Sequence, residues 1–195
     1  MNNSRIHHRR SIRLQDYDYS QAGAYFVTIC VQGKECLFGA IENGAMMSNE
    51  AGRMMEKIWN ELAVFYPGVA AGTFVVMPNH IHGIIHLVGA GPRACPVLHA
   101  GQPRVGANGQ PQGVAPTALS LGDVVHRFKS MTTRRYADGV NQHGWQPFCG
   151  RLWQRNYYEH IIRNEDDCRS IAEYIGDNPR RWEEDTLHPD AMPSP

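Results

Sequence analysis

The chain has 195 residues, of which 42% are hydrophobic and 19% charged, and its formal net charge at pH 7 is zero. A chain of this length buries a substantial core, so one domain is expected, and the composition is ordinary for a globular protein in water. No apolar run approaches the roughly 20 residues of a membrane-spanning helix, and a zero net charge gives the whole molecule no general attraction to a polyanion.

The first twenty residues form a basic arm. Arg5, Arg9, Arg10 and Arg13 lie in it, and no apolar region of the kind found in a signal peptide follows them. We therefore expect the protein in the cytoplasm. The five cysteines are odd in number and contain no CxxC pair, so we expect reduced thiols rather than a disulfide framework or a zinc ribbon.

The first elements along the chain are predicted to be strands followed by a helix. Residues 23–34 are rich in β-branched and aromatic side chains, which predicts a strand. A second strand is expected over 36–48, with Asn43-Gly44 as a turn dipeptide. From Ser48 to Pro67 the apolar residues recur at helical spacing, so an amphipathic helix is predicted there.

The middle of the chain predicts a broken strand pair followed by an insertion. Residues 72–88 are apolar and β-branched, and Pro78-Asn79 interrupts them at a point where a central strand could not accommodate proline. Residues 89–117 are dense in Gly, Pro, Ala and Gln and have no period. We expect this segment to be a flexible surface insertion rather than a domain.

The last part of the chain predicts two helices with a strand between them. Residues 119–139 carry an apolar stripe at helical spacing that ends at Gly139, and residues 151–162 are typical of a strand. Asn164 is placed to cap a final helix that Pro179 ends, and a C-terminal tail is expected from 183. The order of strands and helices favours an α+β sandwich, with an antiparallel sheet and helices packed on one face.

Two histidines in the stretch MPNHIHGIIHL, residues 77–87, share a face of the predicted strand. Because strand side chains alternate, His80 and His82 project the same way with Cα atoms about 6.5 to 7 Å apart and can converge on one ion. His86 shares this face but lies roughly 13 Å away, too far to bind the same ion. Surface histidines on a polar strand face are the alternative, and the apolar residues around them favour the metal site.

Tyr174 and Asn178 are four residues apart on the last predicted helix and so share a face. A tyrosine with a pKa near 10 is protonated at neutral pH, so as a nucleophile it needs a cation or a metal-polarised phosphorus centre beside it. The amide oxygen of Asn178 can add a third ligand to two imidazoles, which suits a divalent Lewis acid with open positions. The alternative is that Tyr174 packs on the sheet and Asn178 merely ends the helix.

These stretches together resemble a known family. The His-hydrophobic-His strand around Ile81, the segment WQRNYYEHIIRN at 153–164 and the Y-I-x-x-N-P helix end at 174–179 occur in the same order in the single-tyrosine HUH transposases. In detail the chain is similar to the REP-associated tyrosine transposases. The resemblance extends from Tyr25 to Trp182.

The resemblance implies a ferredoxin-like, RRM-like sandwich that acts on single-stranded DNA. It implies His80 and His82 as ligands of Mg²⁺ or Mn²⁺, and Tyr174 as the nucleophile that attacks a DNA phosphate to leave a 5′-phosphotyrosine and a free 3′-OH. Asn178 matches the position of the third polar ligand. Three further residues match a family motif to which we assign a supporting role: His160, Arg163 and Asn164.

The expected partner is single-stranded DNA folded into REP-like hairpins, bound in the nucleoid by a monomer or a homodimer. Such binding needs cationic contacts to phosphates and aromatic side chains that stack on bases. Core packing is the alternative for Trp153 and Tyr157. The candidates are Arg9, Arg10, Arg13, Arg127, Lys129, Arg134 and Arg135 for the phosphates, and Trp153, Tyr157 and Tyr158 for the bases.

Two functions remain open at this point. One is an enzyme, a metal-dependent nickase and strand transferase, and the other is a domesticated module that binds a nucleic-acid hairpin without cutting it. The joint presence of the histidines, the tyrosine and the asparagine favours the enzyme. A structural zinc protein is disfavoured because the cysteines lack ligand spacing.

Overall fold

The computed structural model describes residues 17–88 and 119–191. Most of the predicted basic arm, with Arg9, Arg10 and Arg13, and the insertion predicted over 89–117 lie outside the described residues. Within those two ranges, no helix combines the length and the apolar character that crossing a bilayer requires.

The described ranges contain six strands, three α-helices and two short 3₁₀ segments. The strands are β1 (Gly23–Cys30), β2 (Gly39–Glu42), β3 (Ala45–Ser48), β4 (Val69–Val76), β5 (His80–Leu87) and β6 (Tyr158–Ile162). The helices are α1 (Glu50–Phe65), α2 (Leu121–His143) and α3 (Glu165–Asp177), and the 3₁₀ segments are Gln32–Lys34 and Asn178–Glu184.

Four strands form an antiparallel sheet in the order β4-β5-β1-β6, and β2 pairs with β3 in a separate hairpin. Helix α1 connects β1 to β4 by way of that hairpin, and α2 connects β5 to β6. This βαββαβ connectivity with the first strand inside the sheet is the ferredoxin-like arrangement. The predicted α+β class and antiparallel sheet are confirmed.

The larger core lies between one face of the sheet and helices α1 and α2. Val27 of β1 and Ile81 of β5 are fully buried and point to this face. Trp59 of α1 and Phe128 of α2 meet over them with ring centroids 5.6 Å apart. The apolar stripes that predicted these helices are therefore the surfaces that cover this side of the sheet.

Helix α3 packs on the opposite face, which differs from the expectation that the helices lie on one face. Phe26 and Ile84, on the alternate positions of β1 and β5, form a second and smaller core with Ile162 and Ile175. The central strands are thus apolar on both sides, and a sheet of this kind needs a cover on each. Because His80 and His82 alternate with Ile81, they point to the α3 side, which we call the histidine face.

The turn and break signals lie where the sequence placed them. Asn43 and Gly44 both have positive φ, 51° and 74°, as a two-residue hairpin turn requires, and they join β2 to β3. Strand β4 ends before Pro78 and β5 begins after Asn79. Helix α1 begins at Glu50, two residues after the predicted start at Ser48, because the side chain of Asn49 caps it by accepting from the N–H of Gly52.

Two predicted boundaries in the second half are wrong. Helix α2 continues past Gly139 to His143, and Gly144 takes the left-handed conformation that ends it. Gly139 is needed for packing instead, since a Cβ atom there would overlap the ring of Trp145. The strand expected over 151–162 is confined to β6, which begins at Tyr158.

Candidate active site

His80 and His82 meet at the start of β5. Their exposed fractions are 0% and 2%, and their Nε2 atoms lie 3.0 Å apart. Two donors at right angles, each about 2.1 Å from one octahedral ion, would be separated by about 3.0 Å. The spacing of the two imidazoles therefore fits neighbouring ligands of a single cation.

Asn79 orients the imidazole of His80. The side-chain nitrogen of Asn79 donates to the carbonyl oxygens of Lys34 and Leu187, at 3.0 and 2.8 Å, so its oxygen faces the other way. That oxygen lies 2.8 Å from Nδ1 of His80 and accepts its N–H. The lone pair of the imidazole is then on Nε2, the atom that faces His82, which is the arrangement of a metal-binding histidine.

Thr28 and Phe26 of β1 hold the second imidazole. The Oγ1 atom of Thr28 lies 2.8 Å from Nδ1 of His82, and the ring of Phe26 stacks on the imidazole with centroids 5.5 Å apart. Burial lowers the pKa of His82 to about 4 and that of His80 well below its usual range, where the neighbouring His82 adds to the effect. Both imidazoles are neutral at pH 7, the state in which they bind metals.

Tyr174 of α3 lies beside the two imidazoles. Its ring centroid is 5.4 Å from that of His82 and 6.0 Å from that of Phe26, and the residue is 40% exposed. Burial raises the pKa of the Tyr174 hydroxyl, and a hydrogen bond from the side chain of Asn178 opposes this rise. The shared face predicted for Tyr174 and Asn178 is therefore present, on the histidine face of the sheet.

Asn178 itself is turned inward at the start of the second 3₁₀ segment. The residue is 3% exposed, and its Oδ1 atom is buried without a hydrogen-bond partner among the described residues. A buried amide oxygen in this state is costly unless something else supplies the missing interaction.

Asp185 is the residue that the sequence did not identify, because it lies in the expected C-terminal tail. Its Oδ2 atom lies 3.6 Å from Nε2 of His80, and the ligand atoms of His80, His82 and Asp185 are all within 4.8 Å of one another. In the described part of the chain this oxygen is buried and has no hydrogen-bond partner. A signal that the sequence did contain is Trp182, a large aromatic residue three positions after Pro179, and the structure shows that its ring is buried.

These donors fit a divalent cation. Two neutral imidazoles face each other, and two buried oxygens, one from a carboxylate and one from an amide, lack partners in the described structure. A cation between the imidazoles and Asp185 would satisfy the two Nε2 atoms and the carboxylate oxygen, which lie within 4.8 Å of one another, and a mixed nitrogen and oxygen set is acceptable to Mn²⁺ and similar ions. His86 lies at the far end of β5, opposite Ala24 and Ala70, and is outside the ligand group.

The predicted supporting residues shape the turn between β6 and α3. The side chain of Asn164 caps α3 by accepting from the N–H of Asp167 at 2.8 Å. Oδ2 of Asp167 in turn accepts the backbone N–H of Arg163 at 3.1 Å and lies 3.2 Å from Nε2 of His160. These contacts fix where α3 begins, and through the helix they determine where Tyr174 lies.

Two of the predicted DNA-binding side chains are occupied within the protein. Trp153 is 4% exposed and its indole N–H donates to the hydroxyl of Thr132 at 2.9 Å, so the base-stacking prediction is wrong and core packing is its role. The ammonium of Lys129 donates to three backbone carbonyls, which contradicts the predicted phosphate contact. These carbonyls belong to Gln154, Arg155 and Asn156, at 2.9, 3.3 and 3.2 Å.

The two neighbouring tyrosines of the WQRNYYEHIIRN segment face opposite ways. Tyr157 packs against the larger core with the ammonium of Lys129 5.4 Å from its ring centroid. Tyr158 is 50% exposed and pairs with Thr28 across the β1–β6 ladder, which places it on the histidine face. Of the two, Tyr158 is therefore accessible to a ligand of the site.

The predicted arginines of α2 are exposed but lie on the other side of the sheet. Arg134 and Arg135 project from the solvent side of the helix, and Arg127 places its guanidinium 4.8 Å from the ring centroid of Tyr66. Since α2 covers the face opposite the two imidazoles, these side chains are not part of the histidine site.

Comparisons with known proteins support the fold. No protein-family model matches the chain. An uncharacterized protein of Haemophilus influenzae is 41% identical over 195 residues, covering 96% of this chain and 97% of that protein. The structure of a REP-associated tyrosine transposase bound to a REP hairpin has a TM-score of 0.51 at 17% identity, covering 86% of this chain and 72% of that one. The latter confirms the fold that the sequence resemblance implies.

A second solved structure is that of a candidate transposase from Deinococcus radiodurans. Its TM-score is 0.42 at 17% identity, with coverage of 85% of this chain and 95% of that one.

Proposed function

We propose that this chain, which belongs to the same family as the Haemophilus influenzae protein and has the fold of a REP-associated tyrosine transposase, is a metal-dependent nickase and strand transferase. Its substrate would be single-stranded DNA that folds into palindromic hairpins. The observation that carries the proposal is the position of Tyr174, whose ring lies 5.4 Å from that of His82 beside two neutral, buried imidazoles. The hairpin held by a protein of this fold supports the substrate class.

His80, His82 and Asn178 would hold the cation, Mg²⁺ or Mn²⁺. When bound, such an ion supplies Lewis-acid polarisation of a phosphate oxygen. The protein's own contribution is preparation of the ligands. Burial keeps the pKa of each imidazole low, and the Nδ1 contacts to Asn79 and Thr28 keep both Nε2 atoms directed at the same point.

Tyr174 would be the nucleophile. A bond forms between its hydroxyl oxygen and the phosphorus, and the bond from phosphorus to the 3′ oxygen breaks, leaving a 5′-phosphotyrosine and a free 3′-OH. The phenol proton passes to solvent and the departing 3′ oxygen takes up a proton, so charge is balanced. The 40% exposure of Tyr174 leaves room for both DNA and water. Because the phosphodiester is exchanged rather than hydrolysed, another 3′-OH can later attack the phosphotyrosine and join strands.

Tyr158 would position the strand by stacking on a base next to the reacting phosphate, because it is half-exposed on the histidine face. Arg127, Arg134 and Arg135 would contact phosphates of the hairpin away from the reacting centre, since α2 lies across the sheet. These contacts would add affinity that depends on salt but not on base sequence.

The test is a covalent-adduct assay with hairpin DNA labelled separately at each end. With Mn²⁺ present, 3′-labelled DNA should shift on a denaturing protein gel, since the 5′-phosphate of that fragment remains on the protein. The 5′-labelled DNA should give a shorter, protein-free fragment that ends in a 3′-OH. Both products should be absent with EDTA.

Tyr174→Phe is the decisive variant and Tyr158→Phe its matched control, because both tyrosines are exposed on the histidine face. We expect the first to abolish the adduct and the second to retain it. Hairpin binding by the wild-type chain without any adduct would show that the protein is a binding module instead. An adduct that survives Tyr174→Phe would show that another residue is the nucleophile.

A further inference from the structure

We infer that Asp185 is an anionic ligand of the same cation, so that the C-terminal segment, residues 178–191, is part of the active site and not a tail. The inference rests on the proposed function only in taking His80 and His82 as metal ligands. Its content is the identity of an additional ligand and of the chain segment that brings it.

The state of the carboxylate is the first argument. Its Oδ2 atom is buried and lacks a hydrogen-bond partner within the described residues, and the side chain is 10% exposed. At 3.6 Å, Nε2 of His80 is beyond hydrogen-bonding distance, and that atom is already 3.0 Å from Nε2 of His82. An uncompensated buried carboxylate oxygen is costly, and a cation between it and the imidazoles would remove the cost.

The second argument is that hydrogen bonds hold the C-terminal segment in place. Oδ1 of Asp185 accepts the N–H of Leu187 at 2.7 Å, which fixes the rotation of the carboxylate. In the two residues that follow it, the carbonyl of Thr186 accepts from Lys34 at 2.9 Å and that of Leu187 accepts from Asn79 at 2.8 Å. Asp185 is therefore directed toward the imidazoles by contacts independent of any ion.

Trp182 provides the third anchor. Its ring centroid lies 6.0 Å from that of His80 and 4.8 Å from that of His188, so Trp182 packs between the imidazole of His80 and a later residue of the same segment. The residue is 8% exposed. The contact between Trp182 and His80 thus helps to place the carboxylate of Asp185, three residues further along the chain, near the imidazoles.

A carboxylate changes what the site binds. Two imidazoles and an amide are neutral donors, whereas Asp185 adds a full negative charge and a hard oxygen of the kind that Mg²⁺ and Mn²⁺ prefer. We therefore expect the protein to bind its cation before DNA arrives, without needing a phosphate oxygen to supply the negative charge.

The test measures Mn²⁺ binding to metal-free protein by calorimetry, with no DNA present. Asp185→Asn keeps an oxygen for the Leu187 N–H and removes only the charge, and Glu184→Gln is the same change at an exposed neighbour. We expect the Mn²⁺ dissociation constant to rise at least about tenfold for Asp185→Asn and to stay at the wild-type value for Glu184→Gln. The metal-free melting temperature of Asp185→Asn should be equal to or above that of the wild type.

Equal Mn²⁺ affinity in the two variants would overturn the inference, and so would a metal-free Asp185→Asn protein that melts well below the wild type, since the carboxylate would then have a structural partner. This measurement of Mn²⁺ binding does not depend on whether the protein also cleaves DNA. Tyr174→Phe should bind Mn²⁺ as the wild type does, so metal binding can depend on Asp185 even if no covalent adduct forms.

Discussion

The side-chain oxygen of Asn79 accepts a hydrogen bond from Nδ1 of His80 at 2.8 Å, while the nitrogen of the same amide donates to two backbone carbonyls. One of these carbonyls, that of Leu187, belongs to the C-terminal segment and the other, that of Lys34, to the 3₁₀ segment after β1. Asn79 therefore links the orientation of the His80 imidazole to the position of the C-terminal segment that packs over it.

We expect Asn79→Ala to lower the free energy of unfolding of the metal-free protein by about 2–4 kcal/mol. Three hydrogen bonds are lost, one buried and two partly buried, each contributing about 0.5–1.5 kcal/mol, and the groups left behind lack partners. Urea denaturation measures the change. Asn60→Ala on the exposed side of α1 is the control and should change stability by less than about 0.5 kcal/mol. A loss below about 1 kcal/mol for Asn79→Ala would mean that water replaces these bonds.

We expect Thr28→Val to weaken Mn²⁺ binding by about 10- to 100-fold, because valine keeps the shape of the side chain but leaves Nδ1 of His82 without its partner. The control is Thr133→Val on α2, whose hydroxyl bonds to the carbonyl of Lys129 on the other side of the sheet. Calorimetric titration of both metal-free variants provides the comparison. If both variants bind Mn²⁺ equally well, Thr28 does not orient the imidazole.

Much of the fold could be predicted because the relevant signals are local. The apolar stripe of α1, the Asn43-Gly44 turn and the break at Pro78 each depend on neighbouring residues and on known backbone preferences. The side on which α3 packs could not be predicted. Phe26 and Ile84 make both faces of the central strands apolar, and periodicity does not show which helix covers which face.

The candidate site, like the fold, could be predicted only in part from the sequence. His80 and His82 could be predicted as a pair because strand alternation fixes their common face. Asp185 follows Glu183 and Glu184, and no spacing distinguishes the acid that turns inward, since long-range contacts to Asn79 and Lys34 decide it. The contacts of Lys129 could not be predicted either, because the carbonyls that bind its ammonium come from the irregular segment before β6.

We expect the contribution of Lys129 to stability to increase with pH above about 8. Burial lowers the pKa of Lys129 to about 8, whereas a lysine in an unfolded chain titrates near 10.4. Between these values the unfolded chain binds more protons than the folded one, so the free energy of unfolding rises with pH; below pH 8 both states are protonated and the contribution is constant.

The measurement is the difference in unfolding free energy between the wild type and Lys129→Met, obtained with urea at about pH 7 and about pH 9.5, on either side of the lowered pKa. The difference should be larger at the higher pH. Arg134→Met, at an exposed position of the same helix, should show no such change. A difference independent of pH would mean that the three carbonyls keep the ammonium charged throughout this range.

Tyr158→Ala should weaken binding to single-stranded hairpin DNA by about 5- to 150-fold, the range expected for loss of one base stacked on an aromatic ring. The ring is half-exposed, lies edge-on to Phe26 with centroids 6.2 Å apart, and is on the same face as Tyr174. Tyr158→Phe keeps the stacking surface and should bind within about twofold of the wild type.

Phe65→Ala removes an equally exposed ring at the end of α1, remote from the histidine face, and should have no effect. Fluorescence anisotropy at fixed salt measures all three, because phosphate contacts change affinity with ionic strength whereas stacking does so much less. If Tyr158→Ala and Phe65→Ala bind alike, the bases do not pass over β6, and the strand must reach Tyr174 from the α3 side.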